Sequence, residues 1–284
     1  MSARRVGPYH FDGGTAVVTG AAGGIGAALA VGLAARGSHL VLLDRDADGL
    51  EAGAATLRAN HSSLCVATYV VDLADDAATV RVAAELARDH ADTTLVIHNA
   101  GVALAGRFDQ VGAEQFDTVL AVNLRAVVTL TRAMLPVLTA HRGAHIAALS
   151  SVFGIVAPPG QTAYCTSKFA VRGFMESLRG ELAPAGVGVT VVHPGGVRTG
   201  IARNAIVGSG LPAADWTAGL SRFERFLSRD PAVAAETILG GVHRRRRRVL
   251  VGRDAMVIDA LARLLPTTHA RLLTAGTHGL TTRR

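Results

Sequence analysis

The stretch "TAVVTGAAGGIG" (residues 15–26) decides the fold. Its first residues are small, apolar or β-branched and read as a strand. A glycine-rich turn follows, and then an Ala/Leu-rich segment reads as a helix as far as Arg36. Glycines at positions 20, 24 and 26 let the backbone approach a ligand closely. A Cβ there would hold a pyrophosphate off the N–H groups at the helix N-terminus. Gly20, Gly24, Ile25 and Gly26 are therefore candidate nucleotide-binding residues. The spacing is not GxGxxG, and a tight turn with no ligand is the plain alternative.

The same alternation continues outward. "HLVLLD" (39–44) reads as a second strand, with a helix over 47–59. "CVATYVVD" (65–72) is a third, with a helix over 75–90, and "TTLVIHNAG" (93–101) a fourth. A long helix is expected over about 113–138, ending at Pro136. "AHIAALSS" (144–151), "GVTVVHPGG" (188–196) and "RVLVG" (248–252) complete the strands, with a helix over about 163–182. Strands apolar on both faces, alternating with helices, predict a parallel sheet covered on both sides. Right-handed crossovers make this an α/β, doubly wound, seven-stranded architecture. Residues 199–229 break the rhythm, mixing Gly and Pro with Trp216, Phe223 and Phe226. They follow the C-terminal end of a strand, the edge where such folds bind ligands, and so read as a substrate-covering lid. No repeat or linker divides residues 1–284, so a single domain is expected. Residues from about 269 read as frayed or partner-bound.

Half of the 284 residues are apolar and 18% are charged, as in an ordered globular protein. Cys65 and Cys165 lie far apart, outside any CxxC or Cys/His cluster. Neither a disulfide framework nor a metal site is expected, and a reduced, cytoplasmic setting fits. The first twenty residues hold no apolar signal core. The apolar stretch 25–43 is broken by Arg36 and reads as helix then strand, so no integral membrane span is expected. The net charge of +7 has a visible source in "HRRRRRVLVG" (243–252). A nucleic-acid patch would need stacking aromatics beside the run. The run therefore reads as a solvated helix end leading into a strand, its arginines complementing the helix dipole, and no nucleic-acid partner is expected.

Two further groups carry chemistry. Asp44 ends the second strand, where a carboxylate can bind adenosine ribose hydroxyls and repel a 2′-phosphate. It favours NAD; Arg45 beside it can pair with such a phosphate and leaves NADP open. A helix N-cap or turn is the bland role for Asp44; Asp72, at the end of the third strand, is a candidate for the adenine amino group, with the same bland role. In "SSVFGIVAPPGQTAYCTSK" (150–168), Tyr164 and Lys168 stand four apart on a helix and share a face. Lys168 is the single lysine among 29 Lys and Arg residues. A nearby ammonium favours tyrosinate, turning a poor base into a usable one. Ser151 ends the fifth strand, where its hydroxyl can hold a substrate oxygen.

In order, "TGAAGGIG", Asp72, "NAG" (99–101), Asn123 in "VNL", Ser151, "YCTSK" and "PGGVRT" (194–199) resemble the short-chain dehydrogenase/reductases in their single-domain form. The resemblance covers residues 15–199, with looser agreement through 252. It implies a Rossmann-like domain with Tyr164 as general acid/base, Ser151 holding the substrate oxygen, and Lys168 bonding the nicotinamide ribose and lowering the Tyr164 pKa. It implies that Asn123 kinks its helix and holds a relay water. Asn99 and Gly101 would line the adenosine side and Thr199 would meet the carboxamide, with Leu73, Ala100, Pro194 and Val197 also binding the cofactor. The family usually has two asparagines before "AG"; here the first is His98, read as a packing residue. His193 reads as a satisfied strand residue.

The expected function is an NAD(P)-dependent oxidoreductase interconverting a secondary alcohol and a ketone. The substrate is expected to be apolar, with Phe153, Ile155, Val156, Ile201, Ile206, Val207, Leu211, Trp216 and Phe223 lining or covering the site. Alternatives are a halohydrin-dehalogenase-like lyase, against which Lys168 and the intact glycines argue, and an inactive NAD-sensing scaffold. The resemblance also implies a homodimer or homotetramer built on helices 113–138 and 163–182. The amphipathic stretch 255–266 reads as a packing helix.

Overall fold

A computed structural model describes residues 6–268; the expectation for the segment from about 269 lies outside these residues. The strands are β1 (Thr15–Thr19), β2 (His39–Asp44), β3 (Val66–Val70), β4 (Thr93–His98), β5 (Leu104–Ala105), β6 (His145–Leu149), β7 (Gly188–Pro194), β8 (Ile206–Val207) and β9 (Arg248–Val251). The helices are α1 (Gly24–Ala34), α2 (Ala47–Asn60), α3 (Asp76–Asp89), α4 (Ala113–Leu120), α5 (Ala126–Ala140), α6 (Thr162–Leu182), α7 (Ala213–Glu224), α8 (Pro231–His243) and α9 (Arg253–Leu264). Seven strands form one parallel sheet in the order β3-β2-β1-β4-β6-β7-β9. The order reverses between β1 and β4, where the C-terminal strand ends open a crevice.

Side chains alternate across the sheet with period two. Ala16, Val18, Leu40, Leu42, Leu95 and Ile97 pack on the face covered by α1, α2 and α8. Val17, Val41, Leu43, Val96, Ile146 and Ala148 pack on the face covered by α3, α5 and α6. Helices cover both faces, as the unbroken apolar strands predict.

The long helix differs from expectation. It is α4, then a π-helical stretch at Ala121–Arg125, then α5. Pro136 lies inside α5 and does not end it. A proline forfeits one N–H bond. Leu138, fully buried beyond it, continues the stripe of Val127, Leu130 and Met134 and keeps the helix going. By length and composition alone the run Ala113–Ala140 could cross a membrane, but half of its most apolar window is buried within this fold.

The arginine run is also more than a solvated helix end. Arg245 takes a left-handed φ of 49°. Its guanidinium donates to the carbonyls of Gly7 (2.7 Å), Ala144 (3.3 Å) and Gly143, and lies 5.9 Å from the Tyr9 ring centroid. Arg248 pairs with Asp259 of α9 at 2.6 Å. Two arginines of the run are thus turned inward, stapling the N-terminal segment and α9 to the sheet.

Residues 199–229 leave and return at one point. Val197 and Arg229 form a parallel bridge, Arg198 N–H donates to the Arg229 carbonyl (2.8 Å), and Arg229 N–H to that of Gly196 (3.1 Å). Within the excursion, β8 pairs with β5 over a small separate cluster containing Leu104, Val119 and Ala163. This second sheet has only two residues per strand and was not foreseen from the sequence.

Candidate active site

The glycine turn is shaped by contact. Gly20 and Gly24 have φ of 69° and 55°, a region that favours glycine. A Cβ on Gly26 would run into the carbonyl oxygen of Gly20. The start of α1 has no side-chain cap, and Gly23, Gly24 and Ile25 line the crevice. The Thr19 hydroxyl accepts from the N–H groups of Asn99 (3.1 Å) and Ala100 (3.0 Å). The Asn99 amide donates to the carbonyls of Thr19 and Gly20, both at 3.0 Å. These bonds lock the ends of β1 and β4 together. Across from the turn, Thr199 comes so close that a Cβ on Gly24 would sit 3.0 Å from its methyl group.

Asp44 stands at the rim. Its carboxylate accepts the N–H groups of Ala22 (2.9 Å), Arg45 (2.7 Å) and Asp46 (3.1 Å). Asp72 lies just past the end of β3, not in it, and accepts from Ala74 N–H at 2.9 Å. Both line the crevice, as do Arg45 and Leu73. The turn roles expected for these two carboxylates are therefore filled, without taking them away from a ligand.

The π-helical stretch carries Asn123, 1% exposed. Its Nδ2 donates to the Val102 carbonyl and to the Ser167 hydroxyl, both at 2.9 Å, and its Oδ1 accepts from Val102 N–H at 2.8 Å. Ser167 in turn donates to the Tyr164 carbonyl (2.8 Å), tying the bulge to α6. Lys168, 3% exposed, donates to the Leu149 carbonyl at 3.0 Å and lies 5.6 Å from the Tyr164 ring centroid. A Cβ on Gly101 would sit 3.1 Å from Lys168 Nζ and 3.2 Å from Asn123 Oδ1, which explains the glycine. Ser151 caps the short 3-10 turn Val152–Gly154, accepting from Phe153 N–H (3.1 Å).

Burial pushes the Tyr164 phenol up to about 12, while its hydrogen bond with Ser151 pulls the other way. Burial also pushes Lys168 down to about 8. The expected lowering of the phenol by Lys168 is not met in this structure, because desolvation dominates and the ammonium is turned to Leu149.

One cleft of about 1540 Å³ collects Gly20, Gly24, Ile25, Asp44, Arg45, Asp72, Leu73, Asn99, Ala100, Gly101, Ser151, Tyr164, Lys168, Pro194, Val197 and Thr199. Gly26 and Asn123 stand behind its wall and act on it through Gly20 and Lys168's neighbourhood. Of the apolar candidates, Phe153, Val156, Ile201, Leu211, Trp216 and Phe223 line the cleft. Ile155, Ile206 and Val207 do not. Ile155 is buried, and Ile206 and Val207 are used in pairing with β5. Ser150, Ser167 and Thr19 escaped the sequence reading; their adjacency to Ser151, Lys168 and Gly20 was the available signal. His98 is neutral and packed, as expected: burial pushes it down to about 4 and its Nε2 meets Thr131 Oγ1 at 2.9 Å. His193 departs from its expected role, since one of its buried nitrogens has no partner.

The short chain dehydrogenase family profile matches residues 14–207. SadH of Mycobacterium tuberculosis, an oxidoreductase by name, is 40% identical over 269 residues, 94% of this chain and 96% of its own. Xenopus laevis dehydrogenase/reductase SDR family member 7B is 32% identical, over 94% of this chain and 82% of its own. A Burkholderia phymatum short-chain dehydrogenase/reductase solved in complex with NAD superposes with a TM-score of 0.81 at 28% identity, covering 90% of this chain and 95% of its own. One from Sphingobium yanoikuyae in complex with NADPH gives 0.74 at 28%, covering 95% and 97%. With its glycine turn, parallel sheet and Ser–Tyr–Lys cluster in one cleft, the chain belongs to the short-chain dehydrogenase/reductase family.

Proposed function

We propose that the protein is an NAD(P)-dependent oxidoreductase that interconverts an apolar secondary alcohol and its ketone. The observation that carries the substrate class is α7. It buries no residue in the protein core, yet Trp216, Leu220 and Phe223 on it line the cleft. An apolar stripe at helical spacing with no core beneath it is available to a ligand. Residues 199–229, pinned at both ends, act as the lid.

A nicotinamide dinucleotide suits the remaining wall. Glycine leaves room at the uncapped start of α1, and a fixed carboxylate stands at the rim. Lys168 uses one ammonium hydrogen on Leu149 and keeps two for a ligand. Gly20, Gly24 and Ile25 would hold the pyrophosphate, Asp44 the adenosine ribose, Lys168 the nicotinamide ribose and Thr199 the carboxamide. Asp44 favours NAD, with NADP admitted through Arg45. When bound, the nicotinamide supplies or accepts the hydride. Ser151 donates to the substrate oxygen and orients it. Tyr164 gives or takes the proton at that oxygen; its hydrogen bond with Ser151 favours the phenolate, against the effect of burial. Lys168, pushed down to about 8 by burial, would hold the nicotinamide ribose hydroxyls with its two remaining hydrogens and could give up or take a proton there. The lyase alternative is not favoured, since glycine and lysine occupy the decisive positions.

The test is a panel of secondary alcohols from 2-butanol to 2-decanol, with 1-phenylethanol, monitored at the nicotinamide absorbance with NAD and NADP. NADH and NADPH titrations by fluorescence accompany it. Turnover that improves with chain length supports the reading. Binding of NADH without turnover of any member would favour the sensing scaffold, and no binding of either nucleotide would remove both. A cytoplasmic homo-oligomer built on α5 and α6 belongs to the same proposal and is checked by sedimentation.

A further inference from the structure

His193 is fully buried next to the last residue of β7. Its Nδ1 lies 2.9 Å from the carbonyl oxygen of Ser151. A carbonyl cannot donate, so Nδ1 carries the hydrogen and Nε2 is left as a bare lone pair, buried and without a partner. His98 Nδ1 and His145 Nδ1 are likewise buried without a partner; what sets His193 apart is that its other nitrogen holds the Ser151 carbonyl. The β6–β7 ladder reaches Ser150, whose N–H donates to the Val192 carbonyl at 2.8 Å. The Ser151 carbonyl, one residue on, accepts from Gly154 N–H at 2.9 Å and takes the imidazole as its second donor.

The rest of the Ser151 turn is held in a matching way. Arg172 donates to the Gly154 carbonyl at 3.2 Å, and Ser150 Oγ to the Lys168 carbonyl at 2.8 Å. A Cβ on Gly154 would run into Ser150 Oγ, so the turn has no slack. Ser151 lines the cleft together with its neighbours Ser150, Val152 and Phe153.

We propose that His193 is the positioning residue for Ser151: by holding its carbonyl, the imidazole fixes the backbone from which the hydroxyl reaches the substrate oxygen. This rests on the reading of Ser151 as the group that binds that oxygen. The side chain of Asn carries an amide nitrogen close to the place of Nδ1, whereas Gln carries it further out. His193→Gln should therefore lower kcat about ten- to hundredfold on the fastest alcohol of the panel, the scale of a misplaced group. NADH affinity should stay unchanged, and His193→Asn should restore most of the rate. In a Ser151→Ala background, His193→Gln should cost nothing further. Equal losses in the Asn and Gln variants, or the same factor lost with and without Ser151, would overturn the proposal in favour of a general packing role. Full turnover by Ser151→Ala alone would instead sink the role of Ser151. A measurement on the wild-type protein needs neither substrate nor a folded variant. In ¹⁵N-histidine NMR, His193 should be the Nδ1–H tautomer, and an Nε2–H tautomer would overturn the assignment.

Discussion

The two halves of the cleft are built from opposite materials. The nucleotide half is backbone: glycines at left-handed φ, a bare helix start, carbonyls held by the Asn99 amide and N–H groups held by the Thr19 hydroxyl. It sits on the buried sheet, and Gly26 has no space for even a methyl group. The substrate half is side chain: Trp216, Leu220 and Phe223 on a helix that adds nothing to the core. The difference teaches where stability and specificity reside. One half cannot change without unfolding something, while the other can change with little structural cost.

Gly26→Ala is the severest way to probe that contrast. The methyl meets backbone and not a movable side chain, so a loss of about 1–3 kcal/mol or more is expected, with NADH binding lost in the same titration. Tyr164→Phe comes next and separates chemistry from binding. Turnover should fall by about 10²–10⁴, the range for a removed general acid/base, while NADH still binds with unchanged fluorescence. Lys168→Arg should cost activity on a similar scale, because a guanidinium is planar, larger and never neutral, and the ammonium it replaces is buried. Arg88→Lys, at an exposed pair with Asp89, should leave initial rates unaltered.

Stability against pH sharpens the comparison further. In the unfolded chain Lys168 keeps its proton to above pH 10, but burial brings it down to about 8 in the fold. Between these values the unfolded chain binds more protons, so stability rises with pH; below about 8 the full cost of the buried ammonium remains. Lys168→Met should therefore be inactive yet more stable than wild type at pH 7 by about 1–3 kcal/mol. The gap should narrow towards pH 10 in urea titrations. Above that, Tyr164, pushed up to about 12, takes stability away again as the unfolded phenol ionises first. The smallest structural effect belongs to the other half. Trp216→Ala should raise KM for 2-decanol about tenfold and leave the melting temperature almost unmoved. A large drop in melting temperature would show that α7 is core after all.

That contrast also explains what the sequence could reveal. Glycines forced by close approach, apolar strands and a Tyr–Lys pair at helical spacing all leave marks in the residue types themselves. The seven strands, their parallel arrangement and the members of the nucleotide wall were legible for that reason. Ile206 and Val207 look like any apolar lid residues; that they pair with β5 depends on where a distant two-residue segment lies. Pro136 was misleading because propensity at one position yields to Leu138 buried beyond it. The inward turn of Arg245 and Arg248 could not be told from the solvated arginines beside them, since all five letters are the same.

The π-helical stretch at Ala121–Arg125 has a consequence beyond carrying Asn123. One residue added to a turn shifts the phase of everything after it by about 100°. The inward stripe of α4 and that of α5 are consequently out of step. Val119 and Phe116 point into the small cluster with Leu104 and Ile206, while Val127, Leu130 and Met134 point into the main core. A single continuous helix can serve only one such direction. The extra residue makes one helical rod address two hydrophobic cores, so a packing change under the lid need not be transmitted to the sheet.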